Sequence, residues 1–263
     1  MDAEAAPYEN PEESTVFADA DHPMNRPLLI LTAVTAEMRP IRRKLRLARL
    51  RRAQSLAGGR ASFASRDLPW FGVVTGMGAV DVDGWLGEAL ERTGAEAALV
   101  VGLAGSLVAP AHTGEIIVPA QVLDAVTGRR LAPTLDLGVV PAGRLVSADA
   151  PLPTPAAKAE FGRRFDASTV DMESARVAAA CQERGVDWAC VRAVGDELRD
   201  TMPRPFATIV RPDGAADPAA ALRVLAARPD LTPALIRTAR CAQLACRSLA
   251  EFLKATLRDA PAP

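Results

Sequence analysis

Ser168-Thr-Val-Asp-Met-Glu-Ser-Ala-Arg176, with Trp188-Ala-Cys-Val-Arg-Ala-Val-Gly-Asp196 downstream, reads as strand, helix, strand. A strand gives way at Glu173 to an apolar helix that Gly185 closes. The next apolar strand ends at Asp196. Each of two neighbouring strands thus carries a carboxylate at its carboxyl end, which is where open α/β sheets bind ligands.

The same alternation extends upstream. Apolar runs occur at Pro27-Leu-Leu-Ile-Leu-Thr-Ala-Val34, Trp70-Phe-Gly-Val-Val-Thr75, Ala97-Ala-Leu-Val-Val-Gly102, Glu115-Ile-Ile-Val-Pro119 and Arg144-Leu-Val146. Such continuous runs suit strands covered on both faces. Helical spacing falls between several of them, at about 38–53, 79–93 and 173–184. The pattern predicts an α/β fold, a three-layer sandwich in which helices flank a central mixed, mostly parallel β-sheet. Downstream, Thr232-Pro233 is expected to cap and start a helix whose apolar positions Leu235, Ile236, Ala239, Cys246, Leu249 and Leu253 keep helical spacing. Three prolines and Gly214 make 203–214 a loop over the sheet edge or the site.

One domain is expected from residue 26 to 259. Residues 1–25 carry seven acids, three prolines and no Lys or Arg, so they read as a solvated, disordered acidic tail. With 49% hydrophobic and 24% charged residues, the chain has the balance of a globular protein. A net charge of -1 and a pI near 6.2 give no reason to expect a nucleic-acid partner. No apolar run approaches the roughly 18 residues that span a bilayer, and no secretory signal is recognisable, so the cytoplasm is the expected location. Cys181, Cys190, Cys241 and Cys246 form no CxxC pair and read as buried free thiols. Only His22 and His112 are present, both in loop or tail contexts, so no histidine-based metal centre is expected.

Several strand ends carry candidate site residues. Glu37, in Thr32-Ala-Val-Thr-Ala-Glu37, falls in the first turn of a helix, where the macrodipole favours an anion; it helps the helix or serves a site. Gly76-Met-Gly78 lacks the third glycine of a dinucleotide loop, and reads as a tight turn or a close backbone approach to a ligand. Gly102-Leu103-Ala104-Gly105 leaves room for a flat ring, or packs against a helix. The start of a helix favours an ionised Glu173, suited to accepting hydrogen bonds from sugar hydroxyls. Asp196 either caps a turn or protonates a leaving group; for the latter it must hold a proton near neutral pH, which partial burial favours. Arg39 to Arg52 holds eight basic residues in fourteen. As a helix it would be amphipathic, a solvated face or a contact with an anionic membrane surface.

Taken in order, Ala33-Val-Thr-Ala-Glu37, Gly76-Met-Gly-Ala-Val80, Gly102-Leu-Ala-Gly105 with Gly114-Glu-Ile-Ile-Val118, Val170-Asp-Met-Glu173 and Val191-Arg-Ala-Val-Gly-Asp196 resemble the nucleoside phosphorylase and nucleosidase superfamily, of the purine and uridine phosphorylase type. The resemblance covers about residues 27–200. It implies that Met172 and Glu173 bracket a ribose, that Asp196 is the general acid towards a purine, and that Glu37 positions an attacking water. Gly76, Gly78, Leu103, Ala104 and Gly105 would line the site, and Leu152 the base pocket. It also implies a homo-oligomer with no metal and no organic cofactor, and phosphate as co-substrate in the phosphorolytic members.

Three departures from the family pattern involve four positions. Val100 and Leu103 replace a phosphate-binding arginine and serine, Gly195 a serine, and Pro151 a phenylalanine that stacks on the base. The C-terminal stretch, Arg211-Pro-Asp-Gly214 and Ala221-Leu-Arg-Val-Leu-Ala-Ala-Arg-Pro229, is most similar to the hopanoid-associated phosphorylase branch. That branch implies release of adenine from adenosylhopane, a lipid-linked nucleoside. A methylthioadenosine/adenosylhomocysteine-type nucleosidase, and a non-catalytic nucleoside-binding protein on the same fold, are the alternatives.

Overall fold

Leu28–Thr32 forms β1, and all five residues are buried because parallel neighbours flank the strand and helices cover both faces. The protein is described by a computed structural model covering residues 26–201 and 217–258. The acidic stretch 1–25 and the loop expected at 203–214 lie outside the described residues, as does Arg211-Pro-Asp-Gly214.

After β1 come α1 (Thr35–Lys44), β2 (Leu47–Arg49), β3 (Ser62–Ser65), β4 (Trp70–Val74), α2 (Val82–Thr93), β5 (Ala97–Ser106), β6 (Ile116–Ile117), β7 (Gln121–Asp124), β8 (Arg130–Leu131) and β9 (Arg144–Ser147). The chain continues through α3 (Pro155–Phe165), β10 (Thr169–Asp171), α4 (Ser174–Glu183), β11 (Asp187–Asp196), α5 (Pro218–Ala227) and α6 (Thr232–Leu257). The sheet runs β2-β3-β4-β1-β5-β10-β9-β7-β8, with β11 paired to β5 and β6. Its long central ladders, β1 with β4 and β5, and β5 with β11, are parallel, as are β9 with β10 and with β7; β5 with β10 and the short pairings β2–β3, β3–β4, β6–β11 and β7–β8 are antiparallel.

Side chains alternate across these strands and so supply two cores. Leu28, Ile30, Leu99, Val101, Val191 and Ala193 face Met38, Ile41 and Leu45 of the α1 region and Leu249, Leu253 and Leu257 of α6. Leu29, Leu31, Ala98, Val100, Trp188 and Cys190 face Trp85 and Leu86 of α2 and Val177, Ala178 and Cys181 of α4. This is the three-layer α/β arrangement that the sequence predicts. A smaller third core gathers Leu107, Val146 and Val170 with Leu152 and with Phe161 and Phe165 of α3.

β5 decides where the site forms. Its first half lies between β1 and β11, but at Gly105 its neighbours become Val170 of β10 and Asp196 of β11. A register shift between Val194 and Asp196 accommodates the extra residue Gly195.

Three local expectations are corrected. The helix expected over 38–53 stops at Lys44: Arg46 adopts φ 56, and residues 47–49 pair with β3. Buried Leu45 and Leu47, two apart, take strand rather than helix spacing, so the basic residues of 39–52 are spread over a helix, a strand and a 3-10 turn. Thr232 makes no cap hydrogen bond; a 3-10 turn at Pro229–Leu231 runs straight into α6. The buried stripe of α6 begins only at Ala245, with Ile236 46% exposed, because the first half of the helix does not lie on the sheet core.

Candidate functional site

Glu37 occupies the third position of α1, where its carboxylate can turn back to the chain. One oxygen accepts the Val34 N–H at 3.1 Å; the other accepts the Leu103 N–H, on β5, at 3.0 Å. Val34 has no side-chain acceptor, so only half of a capping box forms. Burial pushes the Glu37 carboxyl above its ordinary range, against the pull of Arg192 and of the two N–H donors.

Arg192 follows Trp188 and Cys190 on the same face of β11, and is as buried as they are, at 1% exposure. That face meets the start of α4. The guanidinium pairs with Asp171 at 2.5 Å and donates to Ser174 Oγ at 2.7 and 3.3 Å. Asp171 in turn accepts the Ser147 hydroxyl at 2.5 Å and the Ser174 N–H at 3.1 Å, capping α4. Burial opposes the charge on Arg192, but Asp171, with Cys190, Glu173 and Glu37, more than offsets it.

The glycines of β5 make room for these groups. A Cβ on Gly102 would lie 2.1 Å from Arg192 Nη1 and 2.9 Å from Glu37 Oε1. One on Gly105 would meet the two Asp196 carboxylate oxygens at 3.1 and 3.3 Å, and Val170. At both positions the protein's own charged side chains lie against the glycine.

Glu173 sits immediately before α4, 9% exposed, and accepts the Gly78 N–H at 2.8 Å. Gly78 has φ 71, natural for glycine, and its carbonyl accepts from Arg176 Nη1 at 2.6 Å. Arg176 also binds Asp149 at 3.0 Å, so the turn after β4 is tied to both ends of the β10–α4 junction. In that turn Ala79 and Asp81 also adopt left-handed φ of 44 and 55, strain of a kind that clusters at functional sites. Burial and then Asp171 push the Glu173 carboxyl up to about 7, against Arg192 and the Gly78 N–H. The expectation that the helix start keeps it ionised is thus overridden by desolvation and a like charge.

Asp196 ends β11 with its side chain 23% exposed. Its partner is Lys158 of α3, itself 1% exposed, which also donates to the carbonyls of Glu197 at 2.8 Å and Asp200 at 3.3 Å. The partial burial expected of Asp196 is present, but it includes a buried ammonium.

Among the residues singled out from sequence, Glu37, Leu103, Gly105 and Asp196 meet on the end of β5, and Glu37 and Glu173 lie close enough to raise one another's charge cost. Gly76 and Gly78 lie in the turn that holds Glu173, Met172 is half-buried beside it, Ala104 is buried in β5, and Leu152 packs in the third core. Two cavities of ≈ 450 and ≈ 310 Å³ lie elsewhere, lined by Arg130, Arg144 and Arg164 and by residues of 118–141 with Ala189. Sequence reasoning passed over Asp171, Arg192, Lys158 and Arg176. The first two are charged residues inside strand runs, a signal in itself. Lys158 lies in a helix whose start is marked by Thr154-Pro155. The four cysteines are free, and burial pushes Cys181 up to about 12. Among the described residues no cluster of three metal-ligating side chains occurs, and no helix is long and apolar enough to cross a membrane.

A family model described as the Phosphorylase superfamily matches residues 131–226. No curated protein matches the chain. Among solved structures, the futalosine hydrolase of Helicobacter pylori strain 26695 is similar with a TM-score of 0.66 at 17% identity, over 90% of this chain and 99% of that one. The 5'-methylthioadenosine/S-adenosyl homocysteine nucleosidase of Helicobacter pylori gives 0.66 at 16%, over 90% and 99%. Its Campylobacter jejuni counterpart gives 0.64 at 16%, over 89% and 100%. A variant of the Helicobacter pylori nucleosidase has been captured with 5'-methylthioadenosine in its active site. At these identities the likeness establishes the fold.

Proposed function

We propose that the chain cleaves the N-glycosidic bond of a purine nucleoside, with adenine as the leaving base and water as the acceptor. The observation that carries the reading is that Glu37 reaches the end of β5 at Gly102 and Leu103, Asp196 reaches it at Gly105, and Glu173 is close enough to Glu37 to feel its charge. Glu173 accepts hydrogen bonds from the ribose hydroxyls and, when ionised, stabilises the positive charge that develops on the sugar. Asp196 gives its proton to the base as the C–N electron pair moves onto it. Glu37, its basicity raised by burial, takes a proton from the water whose oxygen bonds to the anomeric carbon. Met172 packs on the sugar and Leu152 borders the base.

Electrostatics favour water over phosphate. Asp171, Glu173 and Glu37 surround the single guanidinium of Arg192, which Asp171 already pairs. Among the described residues, a phosphate dianion would find no guanidinium free of a carboxylate partner there, and ionisation of Glu37 or Glu173 would repel it. Val100, where an arginine would bind it, is 3% exposed in the core. The names of the structural neighbours, a hydrolase and nucleosidases, agree with this choice.

A second reading is phosphorolysis of a lipid-linked adenine nucleoside such as adenosylhopane. It is favoured by the Phosphorylase superfamily match, which runs into the C-terminal stretch similar to the hopanoid-associated branch. Under it, exposed Arg39, Arg43, Arg46, Arg49, Arg51 and Arg52 would face an anionic membrane surface. Assembly into a homo-oligomer accompanies either reading.

Purified protein is given adenosine or 5'-methylthioadenosine, with and without inorganic phosphate, and adenine is measured. Release without phosphate, yielding the free sugar, is expected. Release only with phosphate supports the second reading. Binding without release under both conditions means a nucleoside-binding protein and overturns both.

A further inference from the structure

Lys158 is the one lysine among the described residues whose side chain is almost wholly buried, 1% exposed, and it spends that burial on the turn that carries Asp196. Holding an ammonium out of water is costly unless its donors are matched. Here they are: the Asp196 carboxylate and the Glu197 and Asp200 carbonyls. Other charges near this turn are engaged elsewhere. The Asp200 carboxylate accepts the Glu197 N–H at 2.9 Å and pairs with Arg237 of α6, while Glu197 pairs with Arg199 at 3.0 Å and accepts the Thr113 N–H at 3.3 Å. From β5 and β10, Asp196 is faced by uncharged Gly105 and Val170. Among the described residues, Lys158 is therefore the cation in ion-pair contact with Asp196.

We propose that Lys158 is a positioning residue: it fixes Asp196 against Gly105 and stabilises the carboxylate left when the base takes its proton. The inference rests on the glycosidic cleavage proposed above. In that step the Asp196 O–H bond breaks, an N–H bond forms on the base, and the C–N electron pair passes to the base. The negative charge then appears beside an ammonium already in place, so no reorganisation is needed at that moment. One Asp196 oxygen is engaged by Lys158, and the other is the one that reaches the base.

The test is the pH profile of kcat/KM for adenine release from 5'-methylthioadenosine by the full-length chain and by K158Q. In K158Q the alkaline fall of activity moves up by about one pH unit or more, with K158R close to the unchanged protein. A K158Q profile of unchanged shape, merely scaled down, overturns the proposal. Melting temperatures of K158Q, D196N and K158Q/D196N form a cycle that needs no turnover. K158Q should cost far less once Asp196 has lost its charge, and equal losses in the two backgrounds overturn the pairing role. If K158Q does not fold, a folded K158Q/D196N supports the pairing and an unfolded one overturns it. Absence of turnover in the unchanged protein would instead strike at the proposed reaction, leaving the cycle to decide on Lys158.

Discussion

A Cβ on Gly195 would stand 3.3 Å from both the Cβ and the Cδ1 of Leu103. These positions are two of the departures from the family pattern, and the structure makes them one. Leucine on β5 occupies the volume that a side chain at 195 would need, one residue before Asp196. G195A is expected to destabilise by about 1–3 kcal/mol, as overpacking does. Trimming Leu103 to alanine frees the Cδ1 contact, so the two substitutions should couple favourably by roughly 0.5 kcal/mol or more. Denaturant unfolding of the two single variants and the double variant checks this; strict additivity would show that the positions are independent.

Glu173 supplies a prediction with a definite sign. Its carboxyl is raised from 4.5 to about 7, chiefly by burial, so the folded state holds the proton more tightly than the unfolded chain. The stability this contributes is complete below 4.5 and is lost as pH rises through about 7, a swing on the order of 3 kcal/mol. E173Q cannot ionise, so its melting temperature relative to the unchanged protein should climb between pH 5 and 8. Parallel melting curves would refute the raised carboxyl.

The same titration governs the ligand. Sugar hydroxyls donate to the ionised carboxylate, so nucleoside affinity should strengthen as pH rises through about 7 and be weaker and flat in E173Q. Calorimetric titration at several pH values reads this directly. Affinity that falls over that window would remove Glu173 from the sugar.

How far the sequence foretold this site depends on which force fixed each residue. β1, β5 and β11 were legible because strands covered on both faces must be apolar throughout, and the carboxylates at their ends were legible by contrast. The break of the helix after Lys44 was not, because Ile41, Leu45 and Ala48 fit helical spacing equally well; the pairing of β2 with β3 decides it, and that is a long-range contact. Lys158 escaped notice for a similar reason. Nothing local distinguishes a lysine in Ala156-Ala-Lys-Ala-Glu160 that faces solvent from one whose ammonium reaches a turn 38 residues later. Helix starts tempt the reader to assign ionised acids to Glu37 and Glu173. Burial raises both carboxyls, Asp171 adds to the rise at Glu173, and neither effect is local.

The buried pair of Asp171 and Arg192 is where stability and function are expected to separate. D171N leaves the Arg192 guanidinium uncompensated at 1% exposure and should cost roughly 3–5 kcal/mol. Replacing both partners, as in D171N/R192M, removes the orphaned charge and should recover part of that loss, since a buried ion pair is rarely better than apolar packing of similar volume. Recovery stays incomplete because Asp171 also caps α4 through the Ser174 N–H and accepts the Ser147 hydroxyl. Adenine release should not recover with it: without the guanidinium, Glu37 loses the cation that pulls its carboxyl down and holds its proton to higher pH. Unfolding curves and turnover measured on the same preparations would expose the separation, and a double variant that regained both would mean that Arg192 serves the fold alone.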